Sequence, residues 1–145
     1  MLIVACQAST DPSCATLTKV WLASGASAWC SAVEVQPWFL ELLPSLGAVW
    51  VGMSAGSMVM APSVGEDFIQ WRPPVGDVST LGLVDFSICP HVNGEGVPGN
   101  TMAEAESWAA TIDGPAYAVD DQTAFSVVDG EIEVISEGHW TQFPR

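Results

Sequence analysis

Short apolar runs separated by loops of small and polar residues predict a chain in which strands alternate with helices. The clearest strand is Ala48–Gly52, which is apolar at consecutive positions, as expected for a parallel strand covered by helices on both faces. The other strand candidates are short runs rich in apolar residues, namely Leu2–Ala5, Lys19–Leu22, Leu83–Cys89, Ala116–Val119, Thr123–Val128 and Glu131–Ile135. Asp129-Gly130 is typical of a hairpin turn, so we expect the last two strands to pair.

Helices are predicted between these strands. Gln36–Leu43 has apolar residues at helical spacing, and a second helix begins after Ser54 and ends at Pro62. Thr101 and Glu104 match a capping box, which marks the start of a third helix. This order predicts an α/β fold with a mostly parallel sheet flanked by helices and a C-terminal β-hairpin.

Composition limits the domain count, the partners and the compartment. The 145 residues, 49% apolar and 14% charged, fit one globular domain, residues 1–145. Seventeen acidic residues against three basic ones give a net charge of −14, which argues against nucleic acid and acidic membrane surfaces as partners. The four cysteines lack CxxC spacing, so they suggest neither a metal site nor a redox pair, and they fit a reducing cytoplasm.

Gly52-Met53-Ser54-Ala55-Gly56 directly follows the central strand and matches a nucleophile elbow. In such an elbow a strand turns sharply into a helix, and glycines on either side of the serine permit the close approach of the two backbones. We expect Ser54 to be exposed at the apex and the Ala55 N–H to stabilise an oxyanion. The alternative is a glycine-rich turn before a buried helix, without chemistry.

His91 is the candidate base. It follows a predicted strand and Pro90 and opens a glycine-rich loop, so we expect it at the carboxyl end of a strand, where α/β sheets place active sites. An imidazole there could take the proton of Ser54 and return it to a leaving amine. On its own, a loop histidine is more often a plain surface residue. We interpret His139, near the C-terminus, as structural.

Three stretches resemble the peptidase E (α-aspartyl dipeptidase) family, which also includes cyanophycinase. They are Gly52–Ser57, Leu81–His91 and Asp120–Gly130, and the similarity extends over residues 49 to 143. The resemblance implies a class I glutamine amidotransferase-like, flavodoxin-like fold. It also implies a hydrolase with a Ser-His-Asp/Glu triad, in which serine replaces the usual cysteine.

The resemblance implies roles for individual residues. Ser54 and His91 match the nucleophile and the histidine directly, and the orienting acid is expected between them. Glu66 and Asp67 lie in that interval, with Glu66 slightly preferred, and Asp85 is the third choice. Both Glu66 and Asp67 could instead be solvated loop charges.

The N-terminal part departs from the family pattern. Members of the family carry additional strand–helix units before the one that begins near Lys19, so we expect residues 1–45 to be either divergent or truncated. The turn that supplies a second oxyanion donor corresponds to Ser24–Ser27, which makes the Gly25 N–H a candidate. The family's substrate-binding arginine is absent from residues 99–102, and Arg72 is the remaining candidate for a substrate carboxylate.

We therefore expect a cytoplasmic serine-type peptidase that hydrolyses small peptides, in the manner of dipeptidase E, through an acyl-enzyme and without metal or cofactor. An amidotransferase-like transfer is a further option, although serine in place of cysteine favours hydrolysis. The alternative from another class is a catalytically inactive or truncated amidotransferase-like module that binds a small molecule or a partner. The sequence leaves the oligomeric state open.

Overall fold

Eight strands, two α-helices and one 3-10 helix make up the part of the chain that the computed structural model describes, which is residues 4–7, 20–24, 49–68 and 79–144. The strands are β1 (Val4–Gln7), β2 (Val20–Ser24), β3 (Val49–Met53), β4 (Ser87–Cys89), β5 (Ala116–Val119), β6 (Thr123–Val128), β7 (Glu131–Ser136) and β8 (Trp140–Phe143). The α-helices are α1 (Ala55–Met58) and α2 (Met102–Ala109), and Glu66–Phe68 forms the 3-10 helix. The predicted helix Gln36–Leu43 lies outside the described residues.

The strands form two mixed sheets. The larger has the order β2-β3-β1-β6-β7, in which β2 and β3 are parallel, β1 and β6 are parallel, and the other two pairs are antiparallel. The smaller has the order β4-β5-β8, with β4 parallel to β5 and β8 antiparallel to β5. The α/β class is confirmed, but the described strands are mixed rather than mostly parallel, because β7 and β8 fold back as antiparallel neighbours and β3 runs against β1.

The C-terminal half follows the sequence pattern closely. β5 and β6 have the predicted bounds, and β6 pairs with β7 through the predicted hairpin. Asp129 and Gly130 have φ values of 52° and 83°, and a type I′ turn requires positive φ at both central residues. The capping box of α2 is also present, because Thr101 Oγ1 accepts from Glu104 N–H while the Glu104 carboxylate accepts from Thr101 N–H.

β4 and β8 differ most from the sequence prediction, whereas β1, β2 and β3 lie within two residues of their predicted bounds. β4 is limited to Ser87–Cys89, because the N–H groups of Leu83 and Val84 donate to the carbonyl of Met60 at the end of α1 instead of joining a sheet. The sequence reasoning missed β8 entirely. Its four residues carry only a weak apolar pattern, and pairing with β5 defines it.

Two buried clusters hold the elements together. The larger cluster contains residues of both sheets. It includes the aromatic group of Phe86, Tyr117 and Phe125, whose ring centroids lie 5.0–5.2 Å apart. The smaller cluster packs α2 against β5 through residues that include Ala105, Trp108 and Ala116. Because both clusters contain residues of β4 and of β5, these two parallel strands connect the two clusters.

None of the helices in the described ranges is both long and apolar enough to cross a membrane.

The first testable prediction concerns Gly52. A Cβ at this position would overlap the Gly56 carbonyl and lie 2.8 Å from Ser57 N, both of them backbone groups that cannot move aside cheaply. We expect Gly52→Ala to lower the free energy of unfolding by about 1–3 kcal/mol, as overpacking usually does, measured by urea denaturation.

Gly130→Asn is the matched control. Gly130 has φ 83° and open space around the position of a Cβ, and asparagine tolerates such a backbone. Because this positive φ still disfavours a side chain, we expect Gly130→Asn to lower the stability, but by less than Gly52→Ala. A Gly52→Ala protein as stable as the control would contradict the close approach of strand and helix.

Candidate active site

Ser54 lies at the sharp turn between β3 and α1. Its φ of 54° and ψ of −123° are a strained combination for a residue with a side chain, and such strain is concentrated at functional sites. The Ser54 carbonyl accepts the N–H groups of Ser57 and Met58 at 2.9 and 3.2 Å, and Ser57 Oγ donates to the Gly52 carbonyl at 2.7 Å. These bonds within the turn fix the backbone that carries the Ser54 hydroxyl.

His91 follows β4 with φ 60°, and Asn100 stabilises the loop that it opens. Asn100 Nδ2 donates to the Pro90 carbonyl at 2.6 Å, and the Asn100 carbonyl accepts the Asn93 N–H at 2.7 Å. The His91 ring points toward the end of β3, where Nε2 lies 2.8 Å from Ser54 Oγ. The structure therefore brings together the two residues that the sequence singled out.

The carboxylate at the other ring nitrogen is that of Asp121, whose Oδ1 contacts His91 Nδ1. Asp121 lies in the turn between β5 and β6. Since β4 and β5 are parallel neighbours, their carboxyl ends lie at the same edge of the sheet, and the residues that follow them meet there. The sequence analysis did not single out Asp121, although this residue lies between two predicted strands and within the stretch Asp120–Gly130 that resembles the family.

Glu66, Asp67 and Asp85, the predicted orienting acids, lie elsewhere. Glu66 and Asp67 are exposed on the 3-10 helix, and Asp85 is exposed ahead of β4. Because the single hydrogen-bonding position of Nδ1 is taken by Asp121, the described arrangement leaves none of the three a place at that atom. The geometry favours Asp121 as the orienting carboxylate, and the role of the other three stays a prediction.

The contacts select one tautomer of His91. With a proton on Nδ1 the ring donates to Asp121, and the unprotonated Nε2 can accept the Ser54 hydroxyl proton. The side chains of His91 and Asp121 are 29% and 49% exposed, so solvent reaches the pair. An open cavity of about 330 Å³ borders Asp121, and its other lining residues are Gln122, Thr123, Ala124, Ile135, Ser136 and Glu137.

Cys89, two residues before His91, does not compete as a nucleophile. Its thiol is buried, and burial together with the negative charge of Glu104 raises its pKa to about 12. The protonated thiol lies 3.6 Å from Asn100 Oδ1, as a weak donor. Since the thiolate is the reactive form of cysteine, this residue is inert at neutral pH.

Of the two predicted oxyanion donors, Ala55 lies within the described residues. The Ala55 N–H belongs to the first turn of α1, where N–H groups have no carbonyl partner within the helix. Gly25 and Arg72 lie outside the described residues. His139 is exposed, and its N–H and carbonyl group pair with Asp120.

Asp120 stabilises the turn that carries Asp121. Its carboxylate accepts the N–H groups of Gln122 at 3.0 Å and His139 at 2.5 Å, and the hydroxyl of Thr123 at 2.9 Å. Partial burial by itself raises the pKa of Asp120, but these hydrogen bonds, led by that of His139, outweigh it, and the pKa lies below the usual value. The carboxylate is therefore ionised at neutral pH.

Comparisons with known proteins agree with the sequence resemblance. Residues 30–135 match the model of peptidase family S51. An uncharacterised peptidase of Pasteurella multocida (strain Pm70) is 27% identical over 97 residues, which are 64% of this chain and 45% of that protein. The matching part thus spans less than half of the relative's length. No solved structure matched the chain significantly.

The second prediction uses the pKa of Asp120. Because the folded-state pKa lies below the ordinary value of 3.8, the ionised group stabilises the fold at neutral pH, and this contribution is lost as the pH falls through the folded-state pKa. In the Asp120→Asn variant the side chain at this position has no ionisable group. We expect the variant to be less stable than the wild type at neutral pH. The difference in the free energy of unfolding between the two proteins should disappear in acid.

Urea denaturation of both proteins, from pH 7 down to about pH 2.5, measures this difference. A difference in the free energy of unfolding that stays constant over the whole pH range would show that Asp120 does not stabilise the fold through its charge.

Proposed function

Since the chain belongs to peptidase family S51, we propose that it is a serine peptidase in which Ser54 is the nucleophile and His91 the general base. The observation that carries the proposal is the unbroken set of contacts from Ser54 Oγ through the His91 ring to Asp121. A nucleophile, a base within hydrogen-bond reach and a group that orients the base are the parts that acyl transfer by serine requires.

The proposed reaction follows from these contacts. His91 Nε2 takes the Ser54 proton as Oγ attacks the peptide carbonyl, and the resulting imidazolium is stabilised by Asp121 at Nδ1. The Ala55 N–H supports the developing oxyanion, with Gly25 as the second candidate donor. His91 then gives its proton to the leaving amine, and water hydrolyses the acyl-enzyme by the same steps.

Asp121 replaces Glu66 and Asp67 as the first choice for the orienting carboxylate in this proposal. The support is its contact with His91 Nδ1, together with its place after a strand parallel to the one that ends before His91. A carboxylate at Nδ1 holds the tautomer that leaves Nε2 free to act as a base.

The proposed substrates are small peptides, as expected of a dipeptidase E-like enzyme in the cytoplasm. The chain has three basic residues, Lys19, Arg72 and Arg145, and Arg72 is the one that follows Glu66 and Asp67 closely in the sequence. Because a guanidinium can bind both oxygens of a carboxylate, Arg72 is the proposed partner of an aspartyl substrate.

The third prediction tests the triad. A fluorophosphonate probe should label the wild type at Ser54, whereas Ser54→Ala and His91→Ala should remain unlabelled. Asp121→Asn should lower the turnover of a peptide substrate by about 10⁴-fold, since an amide at this place favours the wrong tautomer. Glu66→Gln and Asp67→Asn are the matched controls, and we expect both to retain activity.

If Asp121→Asn kept full activity while Glu66→Gln or Asp67→Asn lost it, the orienting role would belong to the residue changed in the inactive variant. A folded wild type that the probe does not label would contradict the peptidase proposal and favour the binding-module alternative.

The fourth prediction tests specificity. If Arg72 binds an aspartyl side chain, Arg72→Ala should lower kcat/KM for Asp-Leu by about 10- to 100-fold, the effect of losing a charge-assisted hydrogen bond. The value for Ala-Leu should change little. Steady-state kinetics on both dipeptides give the comparison, with Arg145→Ala as the control.

Equal hydrolysis of Asp-Leu and Ala-Leu by the wild type would remove the aspartyl preference and leave the proposed Ser54 chemistry intact.

A further inference from the structure

Two adjacent carboxylates, those of Asp120 and Asp121, face different partners. Asp121 is 49% exposed and reaches across to His91, whereas Asp120 is 20% exposed and turns back into its own loop. The three donors that Asp120 accepts lie in two separate segments, the turn that begins β6 and the turn that precedes β8. Asp120 therefore joins these segments at the residue next to Asp121.

A chain of hydroxyl groups extends this junction into the sheet. An ionised carboxylate can only accept, so Thr123 Oγ1 must donate its proton to Asp120. Thr123 Oγ1 then accepts from Ser136 Oγ at 2.8 Å, and Ser136 Oγ accepts the Gly138 N–H at 3.0 Å. Thr123 is fully buried, so removal of Asp120 would take away the acceptor of a buried hydroxyl, which would have to donate to Ser136 Oγ instead.

The main chain around Asp120 is equally constrained. Asp120 N–H donates to the His139 carbonyl at 3.1 Å, and Glu137 N–H donates to the Gln122 carbonyl at 3.2 Å. A Cβ at Gly138 would overlap the Asp120 carboxylate, so only glycine fits there beside this side chain. The turn that carries Asp121 is thus bound on both sides to the start of β8, and Asp120 contributes most of the side-chain bonds.

We infer that Asp120 is a positioning residue, which fixes the turn between β5 and β6 so that the Asp121 carboxylate stays on His91 Nδ1. The inference rests on the proposed function. Asp121 itself is half exposed, so its position depends on the backbone that carries it. A displacement of about 1 Å in a catalytic arrangement can cost about 100-fold in rate.

A double-mutant cycle on the full chain tests this inference. The rate constant of fluorophosphonate labelling at Ser54 is measured for the wild type, Asp120→Ala, Asp121→Asn and the double variant. We expect Asp120→Ala to lower the rate about 100-fold in the wild-type background. In the Asp121→Asn background the same change should lower it by less than about threefold, because Asp120 acts through Asp121.

Two further variants control the experiment. Asp129→Asn removes an exposed carboxylate at the other end of β6, and the labelling rate should not change. Ser136→Ala breaks the hydroxyl chain and leaves both carboxylates in place, so it should give a smaller loss with the same dependence on Asp121. It replaces Asp120→Ala in the cycle if circular dichroism shows that the latter is unfolded.

Equal fold losses in the two backgrounds would overturn the inference, because a general loss of structure would act regardless of Asp121. A wild type that is not labelled at all would instead overturn the proposed function on which the inference rests.

Discussion

Backbone hydrogen bonds between the end of α1 and residues 81–84 determine where Ser54 and His91 meet. The carbonyls of Val59, Ala61 and Met60 accept the N–H groups of residues 81 to 84, so the segment leading into β4 is fixed to the helix that follows Ser54. These bonds give partners to the carbonyl groups of the segment that directly follows α1. Because β4 ends just before His91, the same bonds set the distance between the two side chains.

The two sheets depend on each other through the same region. Phe86 lies between that segment and β4, and its ring packs on Tyr117 of the smaller sheet and Phe125 of the larger. A close-packed aromatic group of this kind resists displacement, because any shift opens a void or forces an overlap. The core therefore holds rigid the three strand ends from which Ser54, His91 and Asp121 project.

Two adjacent acidic residues in the turn after β5, Asp120 and Asp121, bind different partners. Asp120 accepts hydrogen bonds from its own loop and from the turn before β8, while Asp121 reaches His91. Asp120 already accepts three hydrogen bonds in these loops, and the adjacent residue supplies the carboxylate at the imidazole. The arrangement also leaves Cys89 outside the chemistry, because burial keeps its thiol protonated.

The sequence by itself determined the local features: the capping box of α2, the hairpin at Asp129-Gly130, the bounds of β5 and β6, and the pair Ser54 and His91. Each local feature depends on residues close together in the chain, where backbone preferences and turn chemistry decide, whereas Ser54 and His91, 37 residues apart, were singled out by the motif around each of them. The carboxylate beside His91 was different. Asp121 reaches His91 across 30 residues because β5 pairs in parallel with β4. Strand pairing, the mixed direction of the sheets and the short β4 depend on contacts between distant segments, and only the tertiary structure decided them.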